Sequence, residues 1–344
     1  MGKSFILKDA DFTGFLDKLS FDFDVFFPVK NGSQRFFKKF VNANDHPVVG
    51  EVRPFEPLKA FFSRAREFVA ENFSAEPPKI NHKPYAIVGV KACDLKGFQI
   101  QDFVFKNNGL EDPFYIHNRE KNLIIGADCT CAIDTCFCIA LGIKPYPHRD
   151  FDLNLSTVPG GYVVEEGSEK GKALLEKYPS LFKNAAESEL RAKEEQRAKT
   201  TRAVEENLKK FQVPTEDKFQ GIIERNFASK IWEEEAKTCV ECGACTNICP
   251  TCHCFFLYDQ KDDKKMARLR VWDSCMIKDY ARVAGGANPR KRLWMRLRNR
   301  FEKKFDFFPK VLKVYACTGC GRCISACPAK IDIRKVLKRL VANA

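Results

Sequence analysis

CVECGACTNICP at residues 239–250 returns with the same internal spacing as CTGCGRCISACP at residues 317–328. Each run sets four cysteines as C-x2-C-x2-C-x3-C and follows the last with a proline, Pro250 or Pro328. This is the run of bacterial two-cluster ferredoxins, in which the fourth cysteine ligates the other cluster. A tight loop wraps three thiolates around one face of a four-iron cubane, while the fourth, expected at the start of a helix, reaches across. Proline suits that place because its amide need not donate. Gly243, Gly319 and Gly321 let the backbone approach and offer amides to the sulfurs. The spacing predicts two 4Fe-4S clusters, one held by Cys239, Cys242, Cys245 and Cys327, the other by Cys317, Cys320, Cys323 and Cys249. The competing reading is a pair of zinc sites, since isolated C-x2-C pairs commonly bind zinc. Zinc rarely calls for four cysteines in this run with a trailing proline, twice.

Working outward, 344 residues with 44% apolar content suggest two domains, or three small ones, able to bury cores without staples. The 16 cysteines are spaced too tightly for most pairs to meet at disulfide geometry, so ligation is the first reading. No signal-length apolar run opens the chain, and no segment approaches the roughly 18 apolar residues of a membrane span. The expected location is the reducing cytoplasm. The net charge of +13 is uneven, with 23 Lys and Arg against nine Asp and Glu from Cys239 onward. Two oxidised four-thiolate cubanes, each a dianion, lower the total to about +9, so part of the surplus is internal counter-charge.

The fold class expected is α+β. Residues 1–180 form an N-terminal mixed α/β domain, 181–236 a helical linker, and 237–344 a two-cluster ferredoxin-like domain with a long insertion at 252–314. Residues 23–29 (FDVFFPV), 85–90 (YAIVGV) and 123–127 (LIIGA) read as buried strands. Residues 58–70 have helical spacing, 160–166 suggest a hairpin, and 167–178 a helix start. Residues 185–210, rich in Ala, Glu, Lys and Arg, read as a solvated helix bridging the domains, and 219–236 as an amphipathic helix. Residues 290–304 hold eight basic residues and one acid, interleaved with Trp294, Met295, Leu297 and Phe301. The stretch resembles no nucleic-acid module, so a docking face or solvated helix surface is preferred and no nucleic-acid partner is expected.

In this order, ACDLKGFQIQDFVF, DPFYIHNRE, the C-x6-C-x-C of Cys129, Cys136 and Cys138, CVECGACTNICPTCHCF, WDSC, GGANPRKR and CTGCGRCISACPAKIDI span nearly the whole chain. Together they resemble the iron–sulfur beta subunits of soluble sulfhydrogenases and the A subunit of anaerobic sulfite reductase. The resemblance implies a non-catalytic electron-transfer subunit of an anaerobic oxidoreductase complex. Its expected partners are a flavin-containing, NAD(P)H-linked or heterodisulfide-reductase-like subunit and a catalytic subunit of hydrogenase or sulfite-reductase type. It also singles out Cys93, Cys129, Cys136 and Cys138 as candidate ligands of a third 4Fe-4S cluster, with both segments emerging from strand ends. Simple packing of small buried thiols is the alternative, and Cys131 could replace one of the four. His253 stands where an aromatic residue is expected, and Cys131 is additional to the pattern.

Cys252, Cys254 and Cys275 could hold a metal with His253 or Asp273, or line the pocket of the adjacent clusters, which is the safer reading. Cys275 could also complete an N-terminal site. Asp94, Asp102 and Arg119 read as ion-pair or capping residues. No dinucleotide fingerprint or Walker loop is present, and no catalytic residue is assigned. The alternative function is a self-sufficient iron–sulfur reductase with a small-molecule site in the N-terminal domain.

Overall fold

The computed structural model describes residues 4–42, 46–72, 74, 78–262 and 265–344. Among these, the strands are β1 (Ser4–Lys8), β2 (Asp24–Asn31), β3 (Gln34–Lys39), β4 (Arg66–Glu71), β5 (Tyr85–Val90), β6 (Leu123–Ala127), β7 (Leu153–Val158), β8 (Gly161–Glu166), β9 (Lys183–Asn184), β10 (Phe255–Asp262) and β11 (Lys265–Trp272). Helices and sheets are mixed along the chain, in keeping with the α+β expectation.

Eight strands form one sheet in the order β3-β2-β5-β6-β7-β8-β1-β9. Its centre, β2-β5-β6-β7, is parallel. Strands covered on both faces read as unbroken apolar runs, as β5 and β6 do, with Ile87 opposite Ile124 and Val88 opposite Ile125. β7 and β8 are the expected hairpin, and the helix Glu169–Lys177 follows, capped by Ser168. Because β5 and β6 are parallel neighbours, Cys93 and Cys129 leave the sheet at the same edge.

Three expected helices differ. Residues 58–70 form a short turn, Leu58–Phe61, and then β4. β4 completes a second sheet, β10-β11-β4, whose other strands lie about two hundred residues later in the insertion. That pairing overrides the helical spacing. Residues 219–236 break into Ile222–Arg225 and Ile231–Ala236. Buried Asn226 forces the break, since its amide donates to Ile222 O and Leu340 O while its own carbonyl accepts from Trp232 Nε1. The expected solvated helix, Glu187–Phe211, buries Lys193, Arg197, Thr200, Val204 and Asn207, a largely polar stripe at spacings of three and four. Arg197 meets Asp128 at 2.7 Å and Glu165 at 2.5 Å, so ion pairs hold this face to the sheet.

Candidate iron–sulfur sites

Each motif turns on left-handed backbone, at Glu241 and Gly243 in the first and at Gly319 and Gly321 in the second. Short helices, Ala244–Asn247 and Arg322–Ser325, follow and carry the third cysteine. The fourth cysteine lies just beyond its helix rather than opening it as the sequence reading expected. This geometry brings Cys239, Cys242 and Cys245 together with Cys327 around one cavity, also lined by Cys323 and Arg300. Cys249 lies instead with the second motif, where its charge is felt by Cys317 and Cys323. Cys323 lines the first cavity as well and senses both Cys245 and Cys249, so the two motifs share their thiols at this seam.

In the N-terminal half, Cys93, Cys129, Cys131, Cys136 and Cys138 line a single further cavity, and Cys320 of the second motif lines it with them. The loops around it are in van der Waals contact. A Cβ on Gly319 would sit 2.5 Å from Cys138 Cα, and one on Gly321 would sit 2.1 Å from Thr135 O. Glycine at these two places is required by close approach as well as by positive φ. Phe137 N donates to Gly319 O at 2.9 Å, and Arg53 donates to Cys320 O.

Buried cations flank these thiols, and among the described residues none of them forms a salt bridge with a carboxylate. Lys91 is fully buried and donates to Val49 O at 2.6 Å and Asp128 O at 3.1 Å, beside Cys129, Cys131 and Cys93. Lys304 donates to Cys249 Sγ at 3.3 Å, Thr251 Oγ1 at 2.9 Å and Ala316 O at 3.1 Å. Arg300 is 5% exposed, has no partner for Nε or Nη2 among the described residues, and is surrounded by Cys245, Cys323, Cys252 and Cys249. Lys59 sits over the Trp272 ring and near Cys252, Cys249 and Cys254. Burying an ammonium or guanidinium without a counter-charge costs several kcal/mol, so the placement fits thiolates or an anionic group in the cavities. Burial pushes the Lys91 ammonium down, and it pushes the Cys129 thiol up to about 12 against the pull of Lys91. For Lys304, burial is outweighed by the surrounding thiols, above all Cys249, and its pKa rises.

Sequence reasoning missed these cations. The basic stretch at 290–304 was read as a docking or solvated surface, yet Arg296, Arg300 and Lys304, at spacings of four, all turn inward. Their i, i+4, i+8 spacing on the helix Leu293–Glu302 and the turns after it was the available signal.

Of the remaining thiols, Cys252 lies beside Cys249, Cys275 lies near Cys254 and Cys245, and Cys254 Sγ accepts from Tyr280 Oη at 3.3 Å. The side chains expected to complete a metal site with them are engaged elsewhere. His253 Nδ1 lies 3.0 Å from Thr251 O with its ring edge-on to Phe308, and burial lowers its pKa to about 4. Asp273 Oδ1 accepts from Ser274 N at 2.6 Å. Asp94 and Asp102 form salt bridges with Arg322 and Arg119. Among the described residues, no three His, Cys, Asp or Glu side chains gather closely enough for one metal ion. The thiols instead line the two cavities described above.

These sites define an iron–sulfur protein, and residues 238–331 match the family described as 4Fe-4S dicluster domain. Over 328 residues, 95% of both chains, the protein is 33% identical to sulfhydrogenase 2 subunit beta of Pyrococcus furiosus. It belongs to this family of sulfhydrogenase beta subunits. A shorter likeness, 26% identity over 106 residues, relates 31% of the chain to 7% of the pyruvate-flavodoxin oxidoreductase of Trichormus variabilis. Among the described residues no helix is long and apolar enough to cross a membrane.

Proposed function

We propose that this chain is the one-electron relay of a multi-subunit anaerobic oxidoreductase in the cytoplasm and carries three 4Fe-4S clusters. Cys239, Cys242, Cys245 and Cys327 hold the first, Cys249, Cys317, Cys320 and Cys323 the second, and Cys93, Cys129, Cys136 and Cys138 the third. Each cluster supplies a reversible one-electron carrier whose potential follows from hydrogen bonds to sulfur, burial and local charge. Residues 237–344 carry the first two as a ferredoxin-like unit. The partners served are a flavin subunit linked to NAD(P)H and a catalytic subunit of hydrogenase or sulfite-reductase type.

One observation carries the reading. The second motif lines both outer cavities, through Cys320 on the N-terminal side and Cys323 on the side of the first motif. This shared lining supports reading the three thiol sets as one continuous row rather than as isolated stations. Lys91 supports the third set as well, because this buried cation faces Cys129, Cys131 and Cys93 and forms no salt bridge among the described residues, with the carboxylate of Asp128 near it bound to Arg197. Anaerobic iron and sulfide analysis tests the proposal. About twelve irons per chain are expected, about eight would remove the third cluster, and none would remove the relay.

A further inference from the structure

Of the sixteen cysteines, Cys242 alone is exposed, and its neighbour Val240 is 64% exposed. The first cavity thus reaches the surface at this edge. Segment 276–292 runs beside it, with Met276 in the cavity wall. Arg296, 1% exposed, fastens the segment there. Its Nε donates to Met276 O at 3.3 Å, its Nη1 donates to Arg290 O at 3.0 Å and Lys291 O at 2.8 Å, and its Nη2 pairs at 2.7 Å with Glu241, which stands between Cys239 and Cys242. One buried guanidinium therefore locks the segment to the first cysteine loop.

The outward side of that segment is strongly positive. Lys278, Arg282, Lys291 and Arg292 are exposed and Arg290 is half-buried, and none of the five makes a salt bridge among the described residues. Asp279 is the one acid between residues 276 and 292. Two apolar side chains stand among them, Ile277 at 42% and Val283 at 55% exposure. Unopposed charge of one sign around an exposed redox site draws in a partner of the opposite sign and orients it, while apolar side chains add contact.

We infer that segment 276–292 is the docking face for an acidic electron-carrying protein, and that electrons enter or leave the chain through the cluster held at Cys239, Cys242, Cys245 and Cys327. This rests on the relay reading given above. The face fits a protein better than a nucleic acid. Of the nearby aromatic rings that could stack on bases, Trp294 and Phe301 pack against the core and Tyr280 is half-buried with its hydroxyl donating to Cys254 Sγ, while Ile277 and Val283, exposed among the charges, are aliphatic.

The test uses the full chain with its clusters, mixed anaerobically in a stopped-flow instrument with a small acidic 4Fe-4S ferredoxin as probe. Three proteins are compared: wild type, R282E/K291E/R292E, and K199E/R202E/K209E, which makes the same charge change on the helix Glu187–Phe211. The wild-type bimolecular rate should fall about tenfold or more from low to moderate salt, and the loop variant should be slower by about the same factor at low salt. The helix variant should stay close to wild type. Equal slowing in both variants, or no slowing in the loop variant with its iron intact, overturns the docking face. An oligonucleotide held by wild type and released by the loop variant at the same salt also overturns it, in favour of nucleic acid. A wild-type chain without iron instead overturns the relay reading beneath it.

Discussion

Arg322, inside the second cysteine motif, and Asp94, next to Cys93, form a salt bridge of 2.7 Å with side chains 0% and 2% exposed. The guanidinium also donates to Pro54 O and Phe55 O at 3.1 Å and to Glu56 O at 3.2 Å, and the second oxygen of Asp94 accepts from Leu58 N at 3.1 Å. Every polar arm of this pair but Arg322 Nη1 is used, and it clamps the two halves of the chain beside Cys93 and Cys320.

Breaking the clamp from one side should be expensive. Asp94→Asn leaves a buried guanidinium without its counter-charge, for an expected loss of about 3–5 kcal/mol. Anaerobic urea denaturation of the loaded chain measures it. A loss under about 1 kcal/mol would show that the pair is not needed.

Lys91→Met separates the two readings of the N-terminal thiols. With a third cluster present, removing this cation should lower that cluster's midpoint potential, because the reduced, more negative state loses a stabilising charge. Potentiometry followed by paramagnetic resonance reads the shift. If the thiols are only packed side chains, iron content and all potentials stay as they are while thermal stability rises.

Lys304→Met should lower the potential of the cluster that includes Cys249, whose sulfur loses a donor at 3.3 Å, and leave the N-terminal one unchanged. Lys304→Arg keeps the charge and should fall between the two. Equal shifts at every cluster would point to a global effect.

Cysteine replacements should count irons. Cys245→Ser and Cys138→Ser should each lose about four irons, from different clusters, while Cys131→Ser keeps its full content. Full iron and full electron throughput in Cys245→Ser would refute its ligand role.

Gly319→Ala tests the seam itself. The added methyl meets backbone of Cys138 at positive φ, so either the loops part or the turn is strained. The expected outcome is a cooperative loss of stability with loss of iron from the N-terminal site. An unaffected iron content would mean that the loops move apart without consequence.

What was legible depended on whether a signal was local. The cysteine spacing, β5 and β6 could be read because thiolate geometry and two-sided burial act within a few residues. β4 could not, since its partner is β11, far along the chain. The inward faces of Glu187–Phe211 and Leu293–Glu302 were misread because their buried residues include Arg197, Lys193, Arg296 and Arg300. Polar stripes look solvated until the carboxylates or thiols opposite them are known. Cys131 was seen as an extra thiol, but its place in the N-terminal cavity follows from the loop's path rather than from spacing.

The pairing of β4 with β11 bears on how the chain can be cut. Severed at residue 237, the ferredoxin-like half would keep β10 and β11 but forfeit the strand that shields their flank, and Arg270 would be stranded without Glu67 and Asp112. Such a fragment would present a raw, adhesive margin to its own copies, so isolating this half as a miniature carrier requires grafting a replacement for residues 66–71.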